Sequence, residues 1–278
     1  MSVSLRCYST SLGCPKNRVD TERLLGSLGV ALVPVESPDE AELVFINTCA
    51  FIQPATEESV RTIAQAIADI EELPKRPLLA VAGCLVGRYH AEDLAPELPE
   101  VDLWLDNSDL EAWPAMLARK LGLPEPTVPG RILSTGPSYA WLKISDGCRH
   151  ACSFCAIPNI RGGHRSHCKD MIVREARALL DQGVKELNLV AQDLTEWGCD
   201  LDGKQDLRTL LDGLLPLQGL ERLRLMYLYP AGMTHEMLKY LREAGKPFVP
   251  YFDVPVQHSH PDVLSRMGRP FARNPREA

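Results

Sequence analysis

The stretch AELVFINTC, residues 41–49, decides the fold class of the first half of this chain. It is a short apolar run, and PATEESVRTIAQAIADIEEL (54–73) follows it within five residues. The second segment has the length of a helix and starts with proline, a residue favoured in the first helical turn. A short strand followed directly by a helix is the repeating unit of folds with parallel sheets. These 33 residues therefore predict one strand–helix unit.

The same alternation continues on both sides of this unit. Further strand candidates lie at 4–10, 77–84 and 101–105, and a helical pattern that stops at glycine begins at Asn17. Another helical pattern occupies 108–122, where the Ser108–Glu111 spacing fits a capping box. We therefore expect an open parallel α/β sheet domain over 1–134.

The second half repeats the alternation after a linker rich in proline and glycine at 123–138. The strand candidates are 139–145, 185–192, 221–228 and 247–257, and the helical candidates are 170–182, 206–215, 234–244 and 261–267. Four β/α units fit part of a parallel barrel, in which chemistry gathers at the carboxyl ends of the strands. We expect a second domain over 139–278, an incomplete (β/α) barrel.

Composition restricts the compartment and the chemistry. The 278 residues suffice for about two domains, and neither a signal peptide nor a membrane span is apparent. A cytoplasmic protein is therefore expected, and thiols stay reduced in that compartment. The nine cysteines then point to metal binding or catalysis before disulfides.

Charge is distributed unevenly. Residues 1–138 carry a net charge of −9 and the remainder +2, which gives the total of −7. An acidic first half argues mildly against one broad nucleic-acid-binding face, although it leaves room for a local basic groove.

The loop DGCRHACSFCAIP (146–158) holds three of the cysteines, Cys148, Cys152 and Cys155, directly after a predicted strand. Zinc and chance clustering are the alternatives, but zinc usually takes paired C-x2-C units and no second pair lies nearby. Iron–sulfur clusters are held by cysteine thiolates, and three thiolates on a four-iron cluster leave one iron open. The C-x3-C-x2-C spacing therefore favours a [4Fe–4S] cluster with an open site.

This loop resembles the signature of the radical S-adenosylmethionine (SAM) enzymes. The resemblance implies that the open iron binds the amino and carboxylate groups of SAM, and that electron transfer then releases a 5′-deoxyadenosyl radical. Cys148, Cys152 and Cys155 would be the catalytic ligands, with Phe154 beside the last of them. It also implies cofactor contacts for Gln192 and Asp193, at the end of the second barrel strand. Arg165 is a further candidate for cofactor binding, because a guanidinium suits carboxylates.

Three more cysteines, Cys14, Cys49 and Cys84, lie 35 residues apart, each at the carboxyl end of a predicted strand. Parallel strands bring those ends to one edge of the sheet, where open α/β folds bind ligands. The alternative is that all three are ordinary buried cysteines. Their matched positions favour convergence on one rim.

The segments SLGCPKNRVDTE (11–22), INTCAFI (46–52) and VAGCLVGRY (81–89) resemble the methylthiotransferases, and DVPVQHSHPDVLSRMGRP (253–270) is also similar to that family. The resemblance implies a second [4Fe–4S] cluster on Cys14, Cys49 and Cys84. SLGCPKN is similar to the branch that methylthiolates the β-carbon of an aspartate in small-subunit ribosomal protein S-twelve, free or in the assembled subunit. A flavodoxin or ferredoxin electron donor and a monomeric enzyme are expected with it.

Other readings stay open from sequence alone. Methylthiolation of a tRNA adenosine is one, and a non-catalytic iron–sulfur fragment is another. The second arises because family members continue into further barrel units and a small C-terminal β-domain that binds substrate, which this sequence lacks.

Several side chains have structural alternatives. Gln192 and Asp193 could be loop residues, and Arg161 or Arg165 could face a cofactor or substrate carboxylate. His167 stands where family members usually have a second arginine. For His258 a structural hydrogen bond is expected. Cys7, Cys168 and Cys199 fit neither trio: buried filler is expected for Cys7 and loop thiols for the other two.

Overall fold

The computed structural model describes residues 4–127 and 129–269. The chain forms two compact units. The first contains the residues up to Ser134 together with Asn159–Arg161, and the second contains Thr135–Pro158 and the described residues from Gly162 onward. In the described residues, no helix combines the length and apolar character that crossing a membrane demands.

The first unit is built on five parallel strands in the spatial order β2-β1-β3-β4-β5. The strands are β1 (Ser4–Ser11), β2 (Ala31–Pro34), β3 (Leu43–Thr48), β4 (Leu78–Gly83) and β5 (Leu103–Asp106). The helices are α1 (Pro15–Ser27), α2 (Gln53–Ile70), α3 (Cys84–Tyr89), α4 (Ala91–Leu94) and α5 (Trp113–Leu121).

The core of this unit explains the strand order. Every residue of β3 is buried, as expected for a central parallel strand covered on both faces. The buried cluster on one side of the sheet includes Leu5, Leu24, Phe45, Leu105 and Trp113. Strand order reverses between β1 and β3, and open α/β sheets bind their ligands at such a point, beyond the carboxyl ends of the strands.

The second unit carries four parallel strands in the order β11-β10-β9-β6, so each successive long strand adds to the same side of the sheet. Two short strands, β7 and β8, pair antiparallel beside it. The strands are β6 (Tyr139–Lys143), β7 (Ser145–Asp146), β8 (Arg165–Ser166), β9 (Glu186–Val190), β10 (Arg222–Leu225) and β11 (Phe248–Phe252). The helices are α6 (Ile157–Arg161), whose residues Asn159–Arg161 belong to the first unit, and α7 (Lys169–Asp181), α8 (Leu207–Leu214), α9 (His235–Ala244) and α10 (Pro261–Arg266).

Helix α7 shows why these segments cover a sheet. It buries Ile172, Ala176 and Leu179, spaced four and three residues apart, so that one face is apolar. Helices α7, α8 and α9 each connect consecutive strands of this sheet, which is the arrangement of a parallel β/α barrel segment. The prediction of an α/β protein with parallel sheets is confirmed.

The predicted capping box at Ser108–Glu111 is wrong. The carboxylate of Asp106 accepts a hydrogen bond from the Ser108 N–H at 2.7 Å and caps a short 3-10 turn, and helix α5 begins only at Trp113. The short elements β2, α3 and α4 were not predicted from the sequence, because four to six residues show too little apolar periodicity to be recognised.

Candidate metal centres

The first three cysteines lie at equivalent positions on neighbouring strands. Cys14 is the residue before helix α1, Cys49 follows β3 directly, and Cys84 is the first residue of α3, immediately after β4. Strands β1, β3 and β4 are adjacent and parallel. All three thiols therefore belong to the carboxyl edge of the sheet, beside the point where strand order reverses.

Backbone packing brings these cysteines close together. Gly13 has a positive φ of 80°, and a Cβ at this position would lie 2.7 Å from Sγ of Cys49. Only glycine allows this approach, so the turn before Cys14 packs directly against the thiol of Cys49. Burial raises the pKa of Cys49, and the nearby thiols of Cys84 and Cys14 add to the effect.

Asn17 connects the three cysteine turns. Its side chain is fully buried, and Nδ2 donates to Leu12 O at 2.9 Å and to Thr48 O at 2.8 Å. Its Oδ1 lies 3.7 Å from Sγ of Cys84, which can donate to it. One amide thus bonds the residues that precede Cys14 and Cys49 and the thiol of Cys84 itself.

Two buried hydroxyls hold the same edge. Ser59 of helix α2 accepts from the Cys49 N–H at 3.0 Å and donates to the Cys49 carbonyl at 2.7 Å. Thr48 donates to Ala82 O at 2.6 Å and accepts from the Leu85 N–H at 3.1 Å, which ties the end of β3 to the start of α3. These hydroxyl groups therefore fix the backbone around Cys49 and Cys84 through hydrogen bonds in which the thiols take no part.

Cys14 differs from Cys49 in its electrostatics. Burial favours its neutral thiol, but the charges of Lys16 and Arg161 and the backbone N–H groups of Asn17 and Lys16 outweigh burial and lower the pKa of Cys14. Arg161 belongs to the first unit and is buried, and its Nη2 contacts Asn17 Oδ1 at 2.5 Å and Asp20 Oδ2 at 3.1 Å. The arginine considered as a partner for a cofactor or substrate carboxylate thus has Asp20 as an ion-pair partner.

The second trio occupies the loop between β7 and β8 in the second unit. The two strands close the base of this loop, where Asp146 pairs with Arg165. The N–H of Cys148 donates to Gly162 O at 3.2 Å. Burial raises the pKa of Cys148, against a hydrogen bond from the His150 N–H, while Asp193, Cys155 and Cys152 add to the rise. The three cysteines of the loop therefore lie within electrostatic range of one another.

A buried ionic network supports the base of the loop. Lys143 Nζ donates to Asp146 Oδ1 at 2.8 Å, and the Lys143 side chain is only 1% exposed. The other oxygen of Asp146 lies 3.0 Å from Nε2 of His167, whose Nδ1 is 3.1 Å from the Lys143 carbonyl. His167, noted in the sequence for replacing a usual arginine, thus faces the carboxylate two residues before Cys148.

The predicted cofactor-contacting residues have different surroundings. Asp193 is buried, and its carboxylate accepts from Thr195 N–H at 2.8 Å and from Tyr229 N–H at 3.3 Å, and lies 2.7 Å from Nε2 of His150. Gln192 beside it is half-buried. Phe154 is 47% exposed, and Arg165 is exposed on β8. Their contacts with a cofactor stay predictions.

Ligand spacing separates a cluster from a single ion. Tetrahedral zinc with Zn–S bonds of 2.3 Å needs sulfurs roughly 3.8 Å apart. Among the residues that the structure describes, neither cysteine trio brings all three sulfurs within 4.8 Å of one another. The donor sets are three thiolates each, so both trios fit a multi-iron cluster better than one zinc ion.

The remaining predicted side chains also have defined positions. Cys7 is buried in the core, where burial raises its pKa to about 12. Cys168 and Cys199 are exposed free thiols. His258 accepts a hydrogen bond from the His260 N–H at 2.9 Å. His164 has a buried side chain, and its Nε2 lies 3.5 Å from Asp200 Oδ1.

Three contributors to these sites escaped the sequence analysis: Asn17, His150 and Arg269. Asn17 stands inside the quoted SLGCPKN stretch and His150 between two ligands, so proximity to a cysteine was the available signal. Arg269 stands inside the quoted segment 253–270, 114 residues beyond the last cysteine of the loop, so only the family resemblance pointed to it.

Comparison with known proteins defines the class first. Residues 142–276 match the Radical SAM superfamily, and residues 6–106 match the uncharacterized protein family UPF0004. Two solved radical SAM enzymes share the fold at 14% identity. TsrM from Kitasatospora setae aligns with a TM-score of 0.62 over 95% of this chain and 63% of its own. The cobalamin-dependent enzyme OxsB aligns with a TM-score of 0.60 over 98% of this chain and 46% of its own.

Curated relatives define the family. The ribosomal protein uS12 methylthiotransferase RimO of Nitratidesulfovibrio vulgaris strain DP4 is 70% identical over 97% of this chain and 63% of its own length. The enzyme of that name from Lawsonia intracellularis is 61% identical over 99% of this chain and 63% of its own length. The one from Aquifex aeolicus is 47% identical over 93% of this chain and 57% of its own length. The chain belongs to the radical SAM methylthiotransferase family and spans about 63% of the length of these first relatives. Membership implies a [4Fe–4S] cluster and SAM.

Proposed function

We propose that this chain is a methylthiotransferase that adds a methylthio group to the β-carbon of an aspartate in ribosomal protein uS12. The observation that carries the proposal is the pair of cysteine trios, one at the carboxyl ends of parallel strands and one in the loop between β7 and β8, in a chain 70% identical to an enzyme of that name. We assign residues 1–134 to the domain of the auxiliary cluster and 139–278 to the radical SAM core.

The two trios have separate tasks in this proposal. Cys148, Cys152 and Cys155 hold the cluster that binds SAM, and Cys14, Cys49 and Cys84 hold a second cluster near which sulfur is supplied. When bound, the clusters and SAM supply the radical and sulfur chemistry. The protein itself holds the ligands in place. In the first unit this is done by Asn17, Ser59 and Thr48. In the second unit it is done by the Lys143–Asp146–His167 network.

Gln192, Asp193 and Arg165 are proposed to lie around bound SAM, with Phe154 beside the cysteine loop. Because the Asp193 carboxylate already accepts hydrogen bonds from the chain, we expect it to order the loop after β9. Gln192 is half-buried beside Asp193 and is the better candidate for direct contact. A flavodoxin or ferredoxin, a monomeric state and the cytoplasm stay predictions.

The test compares variants of the anaerobically purified full chain. Wild-type protein is expected to contain iron and acid-labile sulfide for two [4Fe–4S] clusters, to cleave SAM to 5′-deoxyadenosine and to methylthiolate uS12. Cys152→Ala should abolish cleavage, whereas Cys49→Ala should keep cleavage and lose sulfur transfer. Cys168→Ala removes an exposed thiol outside both trios and is the matched control.

The outcomes separate the rival functions. Product on tRNA and none on uS12, free or in the small subunit, would reassign the substrate. Two clusters without 5′-deoxyadenosine would indicate a cluster-binding chain without turnover. Zinc in place of iron, or normal cleavage in both cysteine variants, would contradict the assignment of the two trios.

A further inference from the structure

The segment Arg266–Arg269, which ends helix α10, packs on the cysteine loop of the same unit. The Ser153 N–H donates to Met267 O at 3.0 Å, and the Ser153 hydroxyl donates to Arg266 O at 3.0 Å. These two bonds lie in the middle of the C-x2-C turn. A segment more than 110 residues away in sequence therefore fixes Ser153, the first of the two residues between Cys152 and Cys155.

The end of α10 is shaped to make this contact. Arg269 N–H donates to Leu264 O at 2.8 Å and Gly268 N–H to Ser265 O at 3.0 Å, the two hydrogen bonds of a Schellman motif. Gly268 takes a φ of 69°, and a Cβ there would lie 2.8 Å from Ala151 O. Glycine is thus required both for the left-handed turn and for the close approach to the loop.

This turn directs Arg269 at a predicted cluster ligand. Arg269 is buried, and its Nη1 lies 3.5 Å from Sγ of Cys152. Its Nη2 donates to Pro255 O at 2.7 Å, which fixes the other arm of the guanidinium. A planar group held at both arms has little freedom to leave the sulfur.

One aromatic ring packs against the guanidinium, and a second ring stacks on the first. Arg269 Cζ lies 4.4 Å from the centroid of the Tyr229 ring, and the His150 ring stacks on Tyr229 at 4.1 Å with a 17° angle. One face of a ring cannot hold both groups, so they occupy opposite faces. His150 is in turn fixed by Asp193 at 2.7 Å. A continuous series of side-chain contacts therefore reaches Sγ of Cys152, in the order Asp193, His150, Tyr229 and Arg269.

We infer that Arg269 is a positioning residue that hydrogen-bonds the Cys152 thiolate of the radical SAM cluster and raises the reduction potential of that cluster. The inference rests on the proposed function, because it assumes a cluster on Cys148, Cys152 and Cys155. Hydrogen bonds and fixed positive charge at a cluster sulfur stabilise the more negative, reduced form. The low-dielectric position of Arg269 strengthens that effect.

The test measures the reduction potential, which a merely structural residue would not move. It uses the full chain with Cys14, Cys49 and Cys84 changed to Ala, so that the electron paramagnetic resonance signal comes from one cluster. In this background Arg269→Gln should lower the ratio of reduced to oxidised cluster about tenfold at a fixed potential, a shift of about 59 mV. Arg269→Lys, which keeps the charge but not the planar fork, should shift less.

Two further variants complete the design. Tyr229→Leu removes the ring on which Arg269 rests and should shift the potential in the same direction by a smaller amount. Arg242→Gln is the matched control, since it removes an exposed arginine from the last turn of α9 and should leave the potential unchanged.

Each outcome decides a separate question. A loaded cluster whose potential is unchanged in Arg269→Gln overturns the inference. If Arg269→Gln and Arg269→Lys both fail to retain iron while Arg242→Gln is fully loaded, Arg269 is structural and the inference is also wrong. Absence of any cluster on this trio in the parent protein would instead contradict the proposed function.

Discussion

At the scale of single residues, Asn17 and Arg269 fix the surroundings of the two cysteine trios. Asn17 bonds the backbone before Cys49 and the thiol of Cys84, and Arg269 contacts the sulfur of Cys152. Both are buried polar groups with identified partners, and removing either leaves acceptors unsatisfied. We therefore expect ligand geometry to depend on residues outside the cysteine pattern.

Asn17→Asp tests this dependence in the first unit. The substitution replaces an N–H donor with a carboxylate oxygen facing Leu12 O and Thr48 O, and each buried carbonyl left without its donor costs about 1–3 kcal/mol. The variant should lose the iron and sulfide of one cluster and keep SAM cleavage. Iron analysis with the exposed Asn159→Asp as control checks this, and a full iron complement in Asn17→Asp would contradict it.

At the scale of secondary structure, helix caps in the second unit follow the chemistry of their first residues. Asp206 caps α8 by accepting from the Thr209 N–H at 2.9 Å, and Thr234 caps α9 by accepting from the Met237 N–H at 3.2 Å. Burial favours the neutral acid, but the bonds from Thr209 and Arg208 outweigh it and lower the pKa of Asp206. The stability contributed by the ionised cap is therefore present above about pH 3.9 and is lost as pH falls through the folded-state pKa.

Asp206→Asn separates the cap from its charge. Asparagine also caps helices well, so the variant should match the wild type in stability to within about 1 kcal/mol at pH 7. On acidification to about pH 3 the wild type should lose stability relative to the variant, since only aspartate is protonated there. Amide hydrogen exchange of α8, compared between the two proteins at each pH, measures the difference. An unchanged difference at both pH values would show that ionisation contributes nothing.

At the scale of the whole molecule, two units of different topology each present three cysteines that are predicted to bind a cluster. In the first unit the cysteines lie beyond the carboxyl ends of parallel strands, and in the second they lie in the loop between β7 and β8; buried polar side chains hold the surrounding turns in both. Metal binding to a site that exists only in the folded chain adds to folding stability. The two cysteine trios should therefore contribute to stability independently.

Iron removal tests this expectation. Anaerobic chelation should lower the melting temperature of the wild-type chain, and the loss should be smaller in the Cys14→Ala, Cys49→Ala, Cys84→Ala protein, which retains one trio. Differential scanning calorimetry under nitrogen measures both. Equal losses in the two proteins would mean that the first trio holds no stabilising cluster.

The amount that sequence could predict varies with the range of the interaction. Strand–helix alternation predicted the parallel sheets, because apolar periodicity is a local property. The spacing of Cys148, Cys152 and Cys155 indicated a shared site, because three ligands within eight residues meet whatever the rest of the fold does. The predicted capping box at Ser108 was wrong, because the Asp106 carboxylate accepts the hydrogen bond from the Ser108 N–H and caps a 3-10 turn.

By itself, the sequence determined the fold class, the two sets of three thiols and the family resemblance, since each is written in local pattern and spacing. The tertiary structure decided that β1, β3 and β4 are neighbours, that Asn17 joins their three turns, and that Arg269 reaches Cys152. These are contacts between residues 31 to 117 positions apart. Such contacts form only when packing brings distant segments together, so no local pattern in the chain records them.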